Sequence, residues 1–345
     1  MGTTQVQMLA AVLSVVLLAS IGTSKSLSQE ELLSKLKVSN ITLPANLLKG
    51  QSNWRIWGYY FLSTRLFNAP LPDGSLLVGW TDNVTDAHVS YLKEDGKGGF
   101  VLKNTVAIPN YHLRGLAAGE DTSFGVLLWN STAQKKDRTM HMEHWSAMEG
   151  NTAPRMMWHT QLVTSTNYPS DFGIGDSRVE YVPTGEYRAY YHVHSVDGHE
   201  GDAYVRLNIS SGVQTSVWNW GCSHSMSNLL SWHPTLEQIA ALCITDCYPG
   251  TTGAFATTSV GGLYVDGSRK VLQMDAACNG KVAGEVGSIA PCHNDSWAVI
   301  FNAHQQPVTL GQSSYDTKTH NQDIVFAFLN STKHLAGSVR WLTTT

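Results

Sequence analysis

The chain has 345 residues, a formal net charge of −4 and only 14% charged residues. No basic block runs through it, which argues against nucleic acid and anionic membrane as partners. With 42% apolar residues there is ample material for one large domain or two ordinary ones.

The apolar run MLAAVLSVVLLASIG occupies residues 8–22. It falls short of the ~20 residues that span a bilayer, and small residues follow it, so residues 1–24 read as a secretory signal peptide. No Lys or Arg precedes the run, which departs from the usual basic start and leaves a signal anchor as the alternative. No later segment is long and apolar enough to span, so no membrane span is expected after signal cleavage. The expected location is extracellular. N-x-S/T sequons at Asn40, Asn83, Asn130, Asn208, Asn294 and Asn330 fit a secreted glycoprotein.

Residues 25–52 form an arm. Within SQEELLSKLK, Ser28 and Glu31 have capping-box spacing and Leu27 with Leu32 can form a hydrophobic staple, so a short helix is expected there. SMSNLLSW (225–232) is ambiguous between helix and strand.

From 53 to 345 the chain reads as strands and turns. Apolar strands recur at SLLVGW (75–80), FGVLLW (124–129), YRAYYHVH (187–194), QIAALCIT (238–245) and SWAVIFNA (296–303). A polar loop follows each. A further strand then begins, in four units just after an aspartate: Asp86, Asp137, Asp202 and Asp323. Closing strands follow in FVLKNTVAI, PRMMWHTQLV, VQTSVWNW, RKVLQM and SVRWLT. The units span 67–109, 112–164, 175–220, 222–275 and 284–343, with WRIWGYYFL (54–62) left over. This periodicity resembles the β-propeller superfamily. The resemblance implies an all-β propeller of about five, or with the left-over strand six, four-stranded blades. A two-sheet β-sandwich is the alternative.

The stretch HVHSVDGHEGD (192–202) is the richest in chemistry. Asp197-Gly198 is a hairpin turn signal, and Asp202 is the recurring aspartate, so a structural capping role is expected of it. His192 and His194 lie two apart on a strand and share one face. With His199 or His224 as a third ligand they could hold a single divalent metal ion. The bland reading packs these imidazoles against Tyr190 and Tyr191.

WNWGCSHSMS (218–227) holds a near-match to the nucleophile elbow, with Ser223 as a weak nucleophile candidate. All five cysteines lie in the C-terminal half, at 222, 243, 247, 278 and 292. In a four-stranded blade the start of the first strand neighbours the end of the second, which pairs Cys222 with Cys247. Cys278 with Cys292 is a second guess. Trp80, Trp129 and Trp297 are expected to pack between blades, and a carboxylate pair could come from Asp82, Asp176, Glu200 and Asp246.

The sequence thus suggests an extracellular binding, adhesion or matrix protein that takes a glycan or protein on one propeller face, at His192, His194, His199, Glu200, Trp220 and His224. The competing class is a metal-assisted hydrolase or lyase acting on polysaccharide, with Glu200 as general base.

Overall fold

The computed structural model describes residues 41–45, 55–56, 59–60, 66–82, 86–130, 139–150, 153–162, 177–194, 200–219, 225–245, 254–258, 264–272, 287–303, 323–332, 336–337 and 340–342. It gives the backbone alone for several of these, among them 192–194 and 200–202. Every regular element among them is a strand. No helix of the described residues is long and apolar enough to cross a membrane.

A small hairpin, β1 (Arg55–Ile56) with β2 (Tyr59–Tyr60), precedes five four-stranded sheets. Blade 1 is β3 (Phe67–Pro70), β4 (Leu76–Thr81), β5 (Ala87–Glu94) and β6 (Phe100–Ile108). Blade 2 is β7 (Tyr111–Ala118), β8 (Phe124–Asn130), β9 (Met140–Trp145) and β10 (Met156–Gln161). Blade 3 is β11 (Ser177–Val182), β12 (Glu186–His194), β13 (Glu200–Asn208) and β14 (Gln214–Asn219). Blade 4 is β15 (Ser225–His233), β16 (Gln238–Thr245), β17 (Ala254–Thr258) and β18 (Tyr264–Leu272). Blade 5 is β19 (Gly287–Cys292), β20 (Ser296–Ala303), β21 (Asp323–Leu329) and β22 (Arg340–Trp341). Each blade is an antiparallel meander in chain order. The first strands β3, β7, β11, β15 and β19 pack in succession, each against the next. The chain is a β-propeller.

Packing explains why the units are separate sheets. On β12 and β13, Tyr187, Ala189, Tyr191, Ala203, Val205 and Leu207 face blade 2, where Leu127, Met140 and Met142 meet them. The alternate residues Tyr190 and Tyr204 face blade 4 and meet Leu230, Ile239 and Ala241. A sheet buried on both faces needs a neighbour on each side. A β-sandwich buries one face of each sheet, so that alternative is set aside. The blades approach closely: a Cβ on Gly125 would lie 2.6 Å from Tyr187 Cε1.

Three sequence expectations change or sharpen. SMSNLLSW lies in β15, a strand rather than a helix. Its first-strand position buries Asn228 through Ser231 without alternation, which removes the period-2 signature from the sequence. The elbow reading of Ser223 required a helix after the turn and meets this strand instead. The third strand of blade 4, without an introductory aspartate, is Ala254–Thr258. Trp80 and Trp297 are fully buried, as expected of packing residues. Trp129 packs in the seam between blades 2 and 3, but Trp80 packs on the side of blade 1 away from blade 2, with Val78 and Leu92.

The recurring aspartate is structural where its side chain is described. Asp86 Oδ1 accepts the Asn110 backbone N–H at 2.8 Å, tying the start of β5 to the connection into blade 2. The helix expected near Ser28 lies outside the described residues. So do residues 46–52 of the arm, while Ile41, Leu43 and Ala45 pack on blade 1 beside Val78, Trp80 and Leu92.

Candidate functional site at the propeller axis

The two ends of the ring are unequal. The connections between second and third strands, and between successive blades, emerge at one end, here the upper face. These include 304–322, 162–176 and 273–286, the three longest in the ring. The other face carries short turns such as 183–185 and 293–295. Long connections on a rigid scaffold are where binding residues concentrate.

Of the residues singled out from sequence, His192, His194, Glu200 and Asp202 lie on strand ends at that upper face. The backbone pairs His192 with Asp202 and His194 with Glu200, so these four positions share one face of the β12–β13 hairpin. Their side chains, and His199, Trp220, Cys222, Ser223, His224, Cys247, Asp176 and Asp246, lie outside the described residues. Among the described residues no group of three His, Cys, Asp or Glu side chains is placed to hold a metal ion. Cys292 is a free thiol, and burial pushes it above the ordinary thiol range. Its proposed partner Cys278 lies outside the described residues.

Asp82 is committed to structure rather than to catalysis. Its Oδ1 accepts the Asp86 N–H at 2.9 Å and its Oδ2 lies 2.8 Å from His88 Nε2. His88 in turn stacks on Trp80 at a centroid distance of 5.2 Å. Both members of the pair are buried, which leaves this carboxylate no open side for a substrate.

The first strands carry charges that sequence reading passed over. Arg114 sits on β7 at a β-bulge: Leu113 pairs with Leu128 and Gly115 with Leu127, leaving Arg114 the extra residue. A bulge re-aims a side chain and bends its strand. Next to it Gly115 abuts β11, where an added Cβ would meet Val179 Cγ1 at 3.1 Å and Val179 N at 3.2 Å. The neighbours of that contact, Arg114 and Arg178, therefore stand at one level on adjacent first strands.

Arg178 spans further. Its Nη1 donates to Ser177 O at 2.9 Å, and its Nη2 to Gly287 O, at the start of β19, at 3.3 Å. Two residues along β11, the Glu180 carboxylate accepts the backbone N–H of Trp232 on β15. First strands of blades 3, 4 and 5 thus converge on one Arg–Glu pair, and Arg114 lies on the adjacent first strand of blade 2.

The electrostatics follow from crowding. Burial lowers Arg114 to about 10 and Arg178 to about 10, the latter against the pull of Glu180. Both remain cationic at neutral pH. Burial raises Glu180 to about 8, outweighing the opposing effects of Arg178 and the Trp232 N–H. At neutral pH Glu180 is mostly protonated. A guanidinium supplies forked donors that suit a carboxylate or sulfate.

No protein-family model matches the sequence, and no curated protein matches it. Solved structures match in fold. AofleA from Arthrobotrys oligospora aligns with a TM-score of 0.50 and 8% identity, over 89% of this chain and 76% of that one. The Hadza microbial sialidase Hz136 aligns with a TM-score of 0.46 and 10% identity, over 80% of this chain and 65% of that one. The SapL1 lectin in complex with alpha methyl fucoside aligns with a TM-score of 0.43 and 13% identity, over 81% and 79%. At these identities the likeness is one of fold.

Proposed function

We propose that this chain is a secreted, N-glycosylated glycan-binding propeller whose axial site takes an acidic sugar. The observation that carries the reading is Arg178 beside Glu180 near the axis, with Arg114 at the same level of the neighbouring first strand. A sugar carboxylate entering from the upper face would meet the guanidiniums, while the long upper connections would supply contacts to the ring. The apolar run at residues 8–22 and the sequons support secretion. Asn294 is exposed at a turn and Asn208 is exposed at the end of β13, while Asn130 and Asn330 sit at strand ends and are partly accessible, as acceptor sites require. Asn40 and Asn83 lie outside the described residues.

The test is isothermal titration of the secreted protein with glucuronic acid and N-acetylneuraminic acid, against galactose as the neutral control. Binding of an acid sugar is expected, with galactose silent. Losing a charge-assisted hydrogen bond costs ~1.5–3 kcal/mol, so Arg178→Met should weaken binding about tenfold or more. Equal affinity for galactose, or an unchanged affinity in both Arg178→Met and Arg114→Met, would remove the axial site from the reading.

A further inference from the structure

A second polar cluster lies away from the axis, in the seam between blades 1 and 2. His141 and Glu143 on β9 pair with Gln161 and His159 of β10, and with Leu128 and Val126 of β8. Leu128 and Val126 belong to the core shared with blade 1, so His141 and Glu143 face that seam. Both are buried, at 6% and 4% exposure, in a place where apolar residues would pack without cost.

The cluster is wired in one direction. Glu143 Oε2 accepts the Trp145 indole N–H at 2.8 Å, and Glu143 Oε1 lies 2.9 Å from His159 Nδ1. Behind the other ring, Thr139 Oγ1 lies 2.6 Å from His141 Nε2. Each imidazole is thus anchored through one nitrogen. The remaining nitrogens, His141 Nδ1 and His159 Nε2, point at each other 2.9 Å apart. Tyr111 walls the pair, with centroids 5.2 Å from His141 and 6.2 Å from His159. The His159 side chain is 32% accessible, which opens one side of the pair to solvent.

An imidazole held by a carboxylate through one nitrogen, with the other facing a shared point, is how proteins orient histidine toward a metal. We propose that His141 Nδ1 and His159 Nε2 bind one imidazole-preferring divalent transition-metal ion between them, with Glu143 and Thr139 orienting the rings and solvent filling the open positions. Two Zn–N bonds of ~2.0–2.1 Å at a tetrahedral angle place their nitrogens about 3.3 Å apart, so the pair opens by less than half an ångström. His159, on the outer strand, has the room to move. As the ion enters, the proton between the two nitrogens passes to His141 Nε2, which donates to Thr139 Oγ1, while His159 keeps its proton on Nδ1 toward Glu143, so both rings bind as neutral imidazoles. This site is independent of the axial one.

The experiment titrates the intact protein with ZnCl2 and with CuSO4 by calorimetry, and records the Cu(II) electron paramagnetic resonance spectrum. One ion per chain is expected, Cu(II) binding more tightly than Zn(II), with hyperfine structure from two imidazole nitrogens. His159→Gln, exposed on an outer strand and so compatible with folding, should abolish that signature. Glu143→Gln should weaken binding about 10–100-fold with both nitrogens retained. Unchanged binding in His159→Gln, the absence of saturable binding, or a loss that follows His192→Gln/His194→Gln instead would each overturn the assignment.

Discussion

Burying an acid beside arginines sets up two opposed effects at Glu180, and burial is the larger. Its folded value of about 8 stands above the ordinary 4.5 of a free glutamate. Between those two values the folded chain keeps a proton that the unfolded chain has released. Stability therefore falls as pH rises across that window and levels off above it. His141 acts with the opposite sign: lowered to about 4, it favours the folded state increasingly as pH rises toward the ordinary 6.5. A melting series alone mixes the two, whereas Glu180→Gln removes only the first. The difference in melting temperature between wild type and Glu180→Gln should move in favour of the variant from about pH 4.5 to about pH 8 and stay flat above. Parallel curves across that range would mean that Glu180 ionises normally.

At the scale of the blade, the tightest constraint is glycine at the seam. An alanine methyl at Gly125 would lie 2.6 Å from Tyr187 Cε1 and 2.7 Å from Met142 Cε. Tyr187 is fully buried, and its hydroxyl lies 2.9 Å from His144 Nδ1, so the ring cannot swing aside without losing that partner. Overpacking of this kind costs ~1–3 kcal/mol, and Gly125→Ala should lower the urea midpoint accordingly with an unchanged slope. The second and third strands that make this seam were readable in the sequence because they are long, apolar and recur. The first strands were less so: β3 is only four residues, and β15 is buried on both faces and lost its alternation. The axial site was out of reach for a related reason. Arg178, Trp232 and Gly287 are far apart in the chain and come together around Glu180 only because three blades turn their first strands to one axis. The His141–His159–Glu143 cluster was nearer to legible, since its strand MHMEHW places His141 and Glu143 two apart. The missing signal was register, which alone brings His159 opposite Glu143.

For the whole ring, the end blades matter most: a blade expects a neighbour on each side, and among the described residues the main blade-to-blade packing of blade 1 is with blade 2 and that of blade 5 with blade 4. Blade 1 turns Val78, Trp80 and Leu92 away from blade 2, and Ile41, Leu43 and Ala45 pack on them. Exposure alternates along 41–45, with the three apolar side chains half-buried and Thr42 and Pro44 exposed, so the segment lies along the blade as a strand would. On blade 5 the face turned from blade 4 leaves Ile300 at 38% and Ile324 at 40% exposure, while Val299 and Ala327 on the other face are buried. The two outward faces should therefore respond differently to mutation. Leu43→Ala removes packing from a buried tryptophan face and should destabilise by ~1–2 kcal/mol, below the cost at a fully buried site. For a domain of this size that is a fall of a few degrees in melting temperature. Ile324→Ser removes a side chain already in water and should shift it by less than about one degree, within the usual range for surface changes. Calorimetry of the two variants separates the cases: a smaller effect at Leu43 than at Ile324 would mean that 41–45 rests on blade 1 without stabilising it.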